Sequence, residues 1–394
     1  MRSNLAWAVM GALVATATGC SSDSDAKEES HDNIVADGGA NALGEDEPGE
    51  VGDETVDLDE GAPIKASKLE WTYVELPGSK CRDGKTTGIG ISINPASDKL
   101  IIFMEGGGAC LETITCAGNP RSWGESSLGA GPMTSLLQRD EVNPYADWNM
   151  VYVPYCSGDV FTGTNESGYN GEPQTGYVNF TKTLERVVPT FKSKVDTVVL
   201  AGHSAGGFGV AWNWMRTQDA FGEIPVHAFD DSGQPLGPMY LTPCFQQYVA
   251  KQWGWKPTIH PACKDCNVDE GSVVRPLIEA ALTRKTKGRY ALLTNDEDGV
   301  IKTFFAYGLD NCTSLNGAIA LPKAYPVGMF PDGLEELRER IKPFKNAAMY
   351  EIVGGGHVLT GSTNAWSTAV EDVTILQWTK WFLAGNSKWR SVGP

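Results

Sequence analysis

Seven short apolar runs recur along the chain, at Thr87 to Ile93, Leu100 to Met104, Met150 to Pro154, Val195 to Ala201, Val226 to Phe229, Tyr290 to Leu293 and Tyr350 to Val353. Each is of strand length, and the segments between them are long enough to hold helices. Runs without polar alternation belong to strands covered on both faces, which is the environment of a mostly parallel sheet. Helical patterns fall between them at Gly207 to Thr217, Leu334 to Ile341 and Thr374 to Leu383. With no internal repeat and no visible linker, residues 67–394 read as one doubly wound α/β domain. In such a sheet, ligands sit beyond the carboxyl ends of the strands, so the residues that follow the runs are where chemistry is to be sought.

The run ending at Ala201 continues as Gly202-His203-Ser204-Ala205-Gly206-Gly207-Phe208-Gly209. A G-x-S-x-G sequence between a strand and a helix makes a sharp turn, where small residues let strand and helix approach and the serine hydroxyl is held outward. Ser204 is therefore the candidate nucleophile, with the N-terminal amides of the following helix pointing toward any negative charge that develops. A serine hydroxyl needs a base beside it. Of the five histidines, His31 lies in an acidic N-terminal stretch, His203 is inside the turn itself, His227 is in a buried run and His260 is in a Cys-rich segment. His357 follows the last run in Gly354-Gly355-Gly356-His357, where the hydrolase order of Ser, acid, His places the base. The acid is expected after the intervening run, Tyr290 to Leu293, and Asp296 is the first carboxylate there. Asp298 is its direct rival, and Asp230 and Asp231 are a second pair whose alternative role is to shape the loop beside the site.

Leu100 to Met104 runs into Glu105-Gly106-Gly107-Gly108-Ala109-Cys110, and glycines in that place can turn backbone amides toward a tetrahedral oxygen. Together with Cys81-Arg82-Asp83-Gly84, Pro154-Tyr155-Cys156-Ser157-Gly158-Asp159-Val160, the Ser204 turn and the late Gly356-His357, this segment resembles the pectinacetylesterase and Notum family of carboxylesterases. The resemblance implies an α/β-hydrolase fold and a Ser204, Asp296, His357 triad, with oxyanion amides from Gly107, Gly108 and Ala205. It also implies disulfides between Cys110 and Cys116 and between Cys81 and Cys156. Ala109 stands where plant members carry Trp, and Gly108 where Notum has one, so neither pectin nor a lipidated protein transfers as substrate. Trp253 and Trp255, in the segment after Pro243, are candidates to wall the pocket instead.

The N-terminus has Arg2, an apolar stretch from Leu5 to Ala17 and then Thr18-Gly19-Cys20. That stretch is too short for a retained span and reads as a signal peptide over residues 1–19. Its ending resembles a bacterial lipobox, in which Cys20 is lipidated; export to the outer membrane or cell surface, or secretion, is the expectation. Residues 21–60 hold fifteen Asp or Glu against one Lys, so residues 20–66 are expected to be a disordered acidic tether. The tether carries most of the net charge of −17 and leaves about −4 for the body, with no basic cluster for nucleic acid. Eight cysteines remain beyond Cys20, an even number that suits disulfides in an exported chain. Cys263-x-x-Cys266 has no second CxxC with which to complete a zinc site, and a disulfide clamping the insertion around residues 240–270 is expected.

No cofactor is implied. The expected function is hydrolysis of a carboxylic ester through an acyl-enzyme, with an O-acetyl group on an extracellular polysaccharide as the expected substrate and a lipid anchor at Cys20 as the only membrane contact. The alternatives are a catalytically silent carbohydrate-binding surface protein on the same scaffold, and an acyltransferase.

Overall fold

The seven apolar runs become strands of an eight-stranded sheet. The computed structural model describes residues 62–394 except 130, 133 and 316–321, so the expectations for residues 1–61, among them the signal peptide and Cys20, lie outside the described residues. The strands are β1 (Thr72–Glu75), β2 (Gly88–Ser92), β3 (Lys99–Met104), β4 (Asn149–Val153), β5 (Thr197–His203), β6 (Val226–Asp231), β7 (Tyr290–Asn295) and β8 (Ala347–Ile352). They lie in the order β1-β2-β4-β3-β5-β6-β7-β8. β1, β2 and β4 pair antiparallel, and every pairing from β4 across to β8 is parallel.

The helices are α1 (Thr113–Ala117), α2 (Glu125–Leu128), α3 (Gly176–Phe191), α4 (Ala205–Phe221), α5 (Pro243–Trp253), α6 (Val274–Thr283), α7 (Gly299–Ala306), α8 (Met329–Ile341) and α9 (Ile375–Ala384). The unbroken apolar character of β3 has its cause in two cores. Leu100, Ile102 and Met104 pack with residues of α3, α4, α6 and α8, while Ile101 and Phe103 face Tyr145, Trp148, Trp366 and the Trp378 and Phe382 side chains of α9. All five of those β3 residues are at most 2 % exposed. This is an α/β-hydrolase fold, and its carboxyl-end loops carry Ser204, Asp298 and His357.

Four disulfides brace those loops: Cys81–Cys156, Cys110–Cys116, Cys244–Cys312 and Cys263–Cys266. The first two are the pairs the family resemblance implies. Cys263–Cys266 closes a local loop in the insertion, and Cys244–Cys312 ties the start of α5 to the segment after α7.

Candidate active site

Ser204 stands at the turn from β5 into α4 with φ 55° and ψ −116°, a region that costs a non-glycine residue strain energy. The glycines around it permit the turn: a Cβ on Gly202 would lie 2.3 Å from the Gly206 carbonyl oxygen, and one on Gly206 would lie 2.1 Å from the Met104 carbonyl oxygen. The Ser204 amide donates to the Asp231 carbonyl at 2.8 Å, fixing the turn against the end of β6.

His357 follows β8 through the three glycines, and its Nδ1 lies 2.8 Å from Asp298 Oδ2. Asp298 is completely buried, and its side chain is held from both sides. Oδ1 accepts the amides of Val300 and Ile301, each at 3.0 Å, as the N-cap of α7, which leaves Oδ2 for the imidazole. Asp296, expected in this position from the sequence, does not occupy it. Its Oδ1 instead accepts the Gly354 amide at 2.7 Å. The physical reason is that pairing with the end of β8 continues beyond Asn295, with Asp296 N–H on Ile352 O and Glu297 N–H on Gly354 O. The carboxylate that reaches His357 is therefore Asp298, at the start of α7, rather than the first one after the run. A signal was present: Asp298-Gly299 ahead of Val300, Ile301, Phe304 and Phe305 has the pattern of an N-cap before an apolar helix face.

Asp230 and Asp231 take loop-shaping contacts. Asp230 accepts the Tyr290 hydroxyl and the Gly233 amide, both at 2.8 Å, and burial pushes its carboxyl well above the usual range. Asp231 accepts the Leu359 and Thr360 amides that follow His357. The other described histidines are engaged elsewhere. His203 sits with its ring edge-on to Phe103 and Nε2 2.8 Å from Thr360 Oγ1. Burial, against the opposing charge of Asp231, pushes its imidazole down to about 4, and nearby His357 adds to the lowering. His227 accepts the Arg289 amide inside the sheet, and His260 pairs with the partly exposed Asp219.

The glycine loop after β3 is fixed through its carbonyls. Asn119 Nδ2 donates to Gly107 O and the Tyr155 hydroxyl to Gly108 O, both at 2.8 Å. In a trans peptide the carbonyl and the next amide point opposite ways, so the Gly107 contact aims the Gly108 N–H away from Asn119. Gly108 has φ +76°, which only glycine adopts readily. Gly108 and Ala205 share one cavity wall with Ser204, while Gly107 lies one peptide back with its α-carbon against the Tyr155 ring. The Tyr-Cys-Ser-Gly-Asp segment has a supporting role. Buried Asp159 accepts Ser157 Oγ at 2.6 Å and the amides of Phe161, Gly163 and Gly176, holding Val160 and Phe161 at positive φ.

The cavity beside Ser204 encloses about 720 Å³ of empty space, its open mouth included. Its far walls are almost wholly apolar, with Trp212, Phe245, Val249, Trp253, Trp255 and Phe304 among them. Trp255 Nε1 donates to Thr162 Oγ1 at 2.7 Å and Trp212 Nε1 to Thr258 Oγ1 at 3.1 Å, so the indoles of both have their polar edges satisfied by protein. The insertion after Pro243 thus walls the pocket with the two tryptophans the sequence singled out. Among the described residues there is no cluster of three or more His, Cys, Asp or Glu placed to hold a metal.

A serine at a strained strand-to-helix turn, a histidine held by a buried carboxylate and a glycine loop lining the serine's cavity stand on the carboxyl-end loops of this α/β-hydrolase fold. Residues 64–248 match the family model described as Pectinacetylesterase. The chain is 34 % identical to palmitoleoyl-protein carboxylesterase notum2 of Xenopus laevis over 169 residues, which are 39 % of this chain and 34 % of that protein. It is 30 % identical to human palmitoleoyl-protein carboxylesterase NOTUM over 171 residues, again 39 % and 34 %. In these alignments the chain spans about a third of the length of the curated relatives it matches. The structure of the Wnt deacylase Notum from Drosophila superposes with a TM-score of 0.59, covering 82 % of this chain and 95 % of that one. At 19 % identity that likeness is one of fold. The matched part of the chain is homologous to the pectinacetylesterase and Notum carboxylesterases.

Proposed function

We propose that the chain is a serine carboxylesterase whose substrate carries an apolar acyl group. One observation carries the reading: Ser204 lines an apolar cavity together with Gly108 and Ala205. In the proposed reaction His357 Nε2 takes the Ser204 proton as Oγ bonds to the ester carbonyl carbon. Asp298 holds Nδ1–H and stabilises the imidazolium without taking its proton. The amides of Gly107, Gly108 and Ala205 receive the oxyanion. Collapse of the tetrahedral adduct breaks the bond to the alcohol, which leaves with the proton from His357. Water, deprotonated by the same imidazole, then releases the acid and restores Ser204.

The chemistry of the cavity wall supports an apolar acyl group. Its lining is dominated by the side chains of Trp212, Phe245, Val249, Trp253, Trp255 and Phe304, which suit the carbon chain of an acyl group. The relatives named for palmitoleoyl-protein esters support a longer chain, while the Pectinacetylesterase match supports O-acetyl groups on polysaccharide as the second reading. The test is turnover of aryl esters of increasing acyl length, run beside acetylated pectin and xylan. Rates that rise with chain length and vanish in Ser204→Ala are expected. A preference for acetyl would return the polysaccharide reading, and failure of the folded parent to label with a fluorophosphonate would leave a silent binding scaffold. Free acid as the sole product in the presence of sugar acceptors would separate hydrolysis from acyl transfer.

The proposed organisation is a signal peptide at 1–19, a lipidated Cys20 and an acidic tether that gives way to the catalytic domain before Ile64 rather than at 67, since Ile64 is buried in the core with its amide on Thr190 Oγ1 at 2.8 Å. It places the enzyme outside the cytoplasm with a lipid as its only membrane contact. Mass spectrometry of the mature N-terminus tests this, and a soluble protein cleaved elsewhere would reject the anchor.

A further inference from the structure

One residue holds the Ser204 turn through its backbone and the loop after His357 through its carboxylate. Asp231 ends β6 and is completely buried. Its backbone carbonyl accepts the Ser204 amide at 2.8 Å. Its side chain collects the loop that begins at His357: Oδ1 accepts the Leu359 amide at 2.9 Å, and Oδ2 accepts the Thr360 amide and the Thr360 hydroxyl, each at 2.7 Å. Ser232 Oγ donates to Oδ1 at 3.1 Å and itself accepts the Val358 amide at 3.1 Å. Three successive amides after His357 are thereby fixed to two successive residues at the end of β6.

The direction of these bonds extends the network to the nucleophile's neighbour. Since the Thr360 hydroxyl gives its proton to Asp231, it receives a hydrogen bond from His203 Nε2, 2.8 Å away. That fixes the His203 tautomer with its proton on Nε2. His203 and Ser204 are adjacent in sequence, so the base loop is tied to the nucleophile turn through a side-chain chain as well as through the Asp231 backbone. Four donors converge on the carboxylate, and every one needs an acceptor. An amide in its place would set its NH2 against a buried backbone N–H or hydroxyl, leaving donors unpaired.

We propose that Asp231 is the positioning residue that sets the reach of His357 toward Ser204, a role separate from that of Asp298, which holds the imidazole itself. The inference rests on the esterase reading. Neither Asp231 nor Thr360 touches substrate in it; both act through the loop. The argument for a kinetic effect is that a displacement of about 1 Å in a reacting group costs roughly 10²-fold in rate.

The test compares the parent with Asp231→Asn, Thr360→Val and Thr360→Ser. Competent sites are first counted by fluorophosphonate titration, then kcat per titrated site and KM are measured with an activated aryl ester. Asp231→Asn is expected to lower kcat per site about 10²-fold with KM within about twofold of the parent, because the cavity is untouched. Thr360→Val is expected to lower it about tenfold, and Thr360→Ser, which keeps the hydroxyl, to restore it. A merely structural role would reduce the number of titrated sites or the melting temperature and leave each remaining site at the parent rate, and that result overturns the proposal. Should Asp231→Asn fail to fold, the threonine pair decides alone, with parent turnover per site in Thr360→Val counting against it. A folded parent that neither labels nor turns over overturns the esterase reading and this inference together, whereas a labelled parent with unaffected variants overturns only the inference.

Discussion

His357 Nδ1 and Asp298 Oδ2 are 2.8 Å apart, and the other oxygen of the same carboxylate is the N-cap of α7. The helix cap therefore orients the carboxylate that holds the His357 ring. Replacing Asp298 by Asn leaves the cap's shape but offers an NH2 that favours the wrong imidazole tautomer, and turnover is expected to fall by about 10⁴-fold. Asp296→Asn is expected to cost less than about tenfold, since Asp296 supports only the Gly354 amide. The measurement is kcat on an activated ester for both variants, each checked for parent-like melting. Collapse in Asp296→Asn with normal turnover in Asp298→Asn would reverse the assignment.

Val249, on α5, is 1 % exposed and lines the cavity opposite the site loops. Val249→Phe adds volume to that wall at a stability cost of about 1–3 kcal/mol, as overpacking generally does. It is expected to cut kcat/KM for a long-chain aryl ester at least about tenfold while leaving the acetyl ester within about twofold, since a few lost apolar contacts are worth that much. Equal losses on both esters would mean that the acyl chain lies elsewhere.

Two disulfides separate stability from activity. Cys81–Cys156 closes a sequence separation of 75 residues and Cys110–Cys116 one of 6. In the loop-entropy account, opening the first costs about 4 kcal/mol and opening the second about 2 kcal/mol. The order for activity is expected to invert, because Cys110 follows the Gly107-Gly108-Ala109 loop and its amide is fixed to Gly158. Urea midpoints and kcat for Cys81→Ser/Cys156→Ser and Cys110→Ser/Cys116→Ser check this. A larger activity loss in the first pair would contradict it.

The sheet was legible because buried parallel strands leave an unmistakable apolar signature, and all seven runs lie in strands within a few residues. Ser204 and His357 were legible because a sharp turn and a flexible loop both need glycine, which punctuates the sequence at 202, 206 and 354–356. Which aspartate faces the His357 ring was not, because Asp296 and Asp298 lie two positions apart in a turn whose course depends on pairing with the end of β8, a contact 58 residues away. The apolar cavity was legible only as two tryptophans after Pro243. Its other walls come from the loops after β3 and β4, from the β5–α4 turn and α4, and from α6 and α7, and their convergence is a property of the packed fold rather than of any local pattern.

His203 supplies a last prediction, on acid stability. Its imidazole is 7 % exposed, and burial lowers it from an ordinary 6.5 to about 4. Between those values the unfolded chain holds a proton at this residue that the folded chain does not, so stability falls as the pH falls. The contribution is fully present above about 6.5, is lost progressively down to about 4, and does not change further below that. By pH 4.5 the loss amounts to roughly 2–3 kcal/mol at this one group. Buried His227, lowered to about 3, acts in the same direction, and the raised carboxyls of Glu105, Asp159 and Asp230 act in the opposite one. Those groups are common to the parent and to His203→Gln, so the difference between the two proteins isolates His203. Glutamine keeps a donor for Thr360 Oγ1 and cannot be protonated in this range. Urea unfolding at pH 7 and pH 4.5 is therefore expected to show the parent losing roughly 2–3 kcal/mol more than His203→Gln. Equal losses in the two proteins would show that His203 takes up its proton as readily when folded as when unfolded, which would contradict its buried, neutral place beside Thr360.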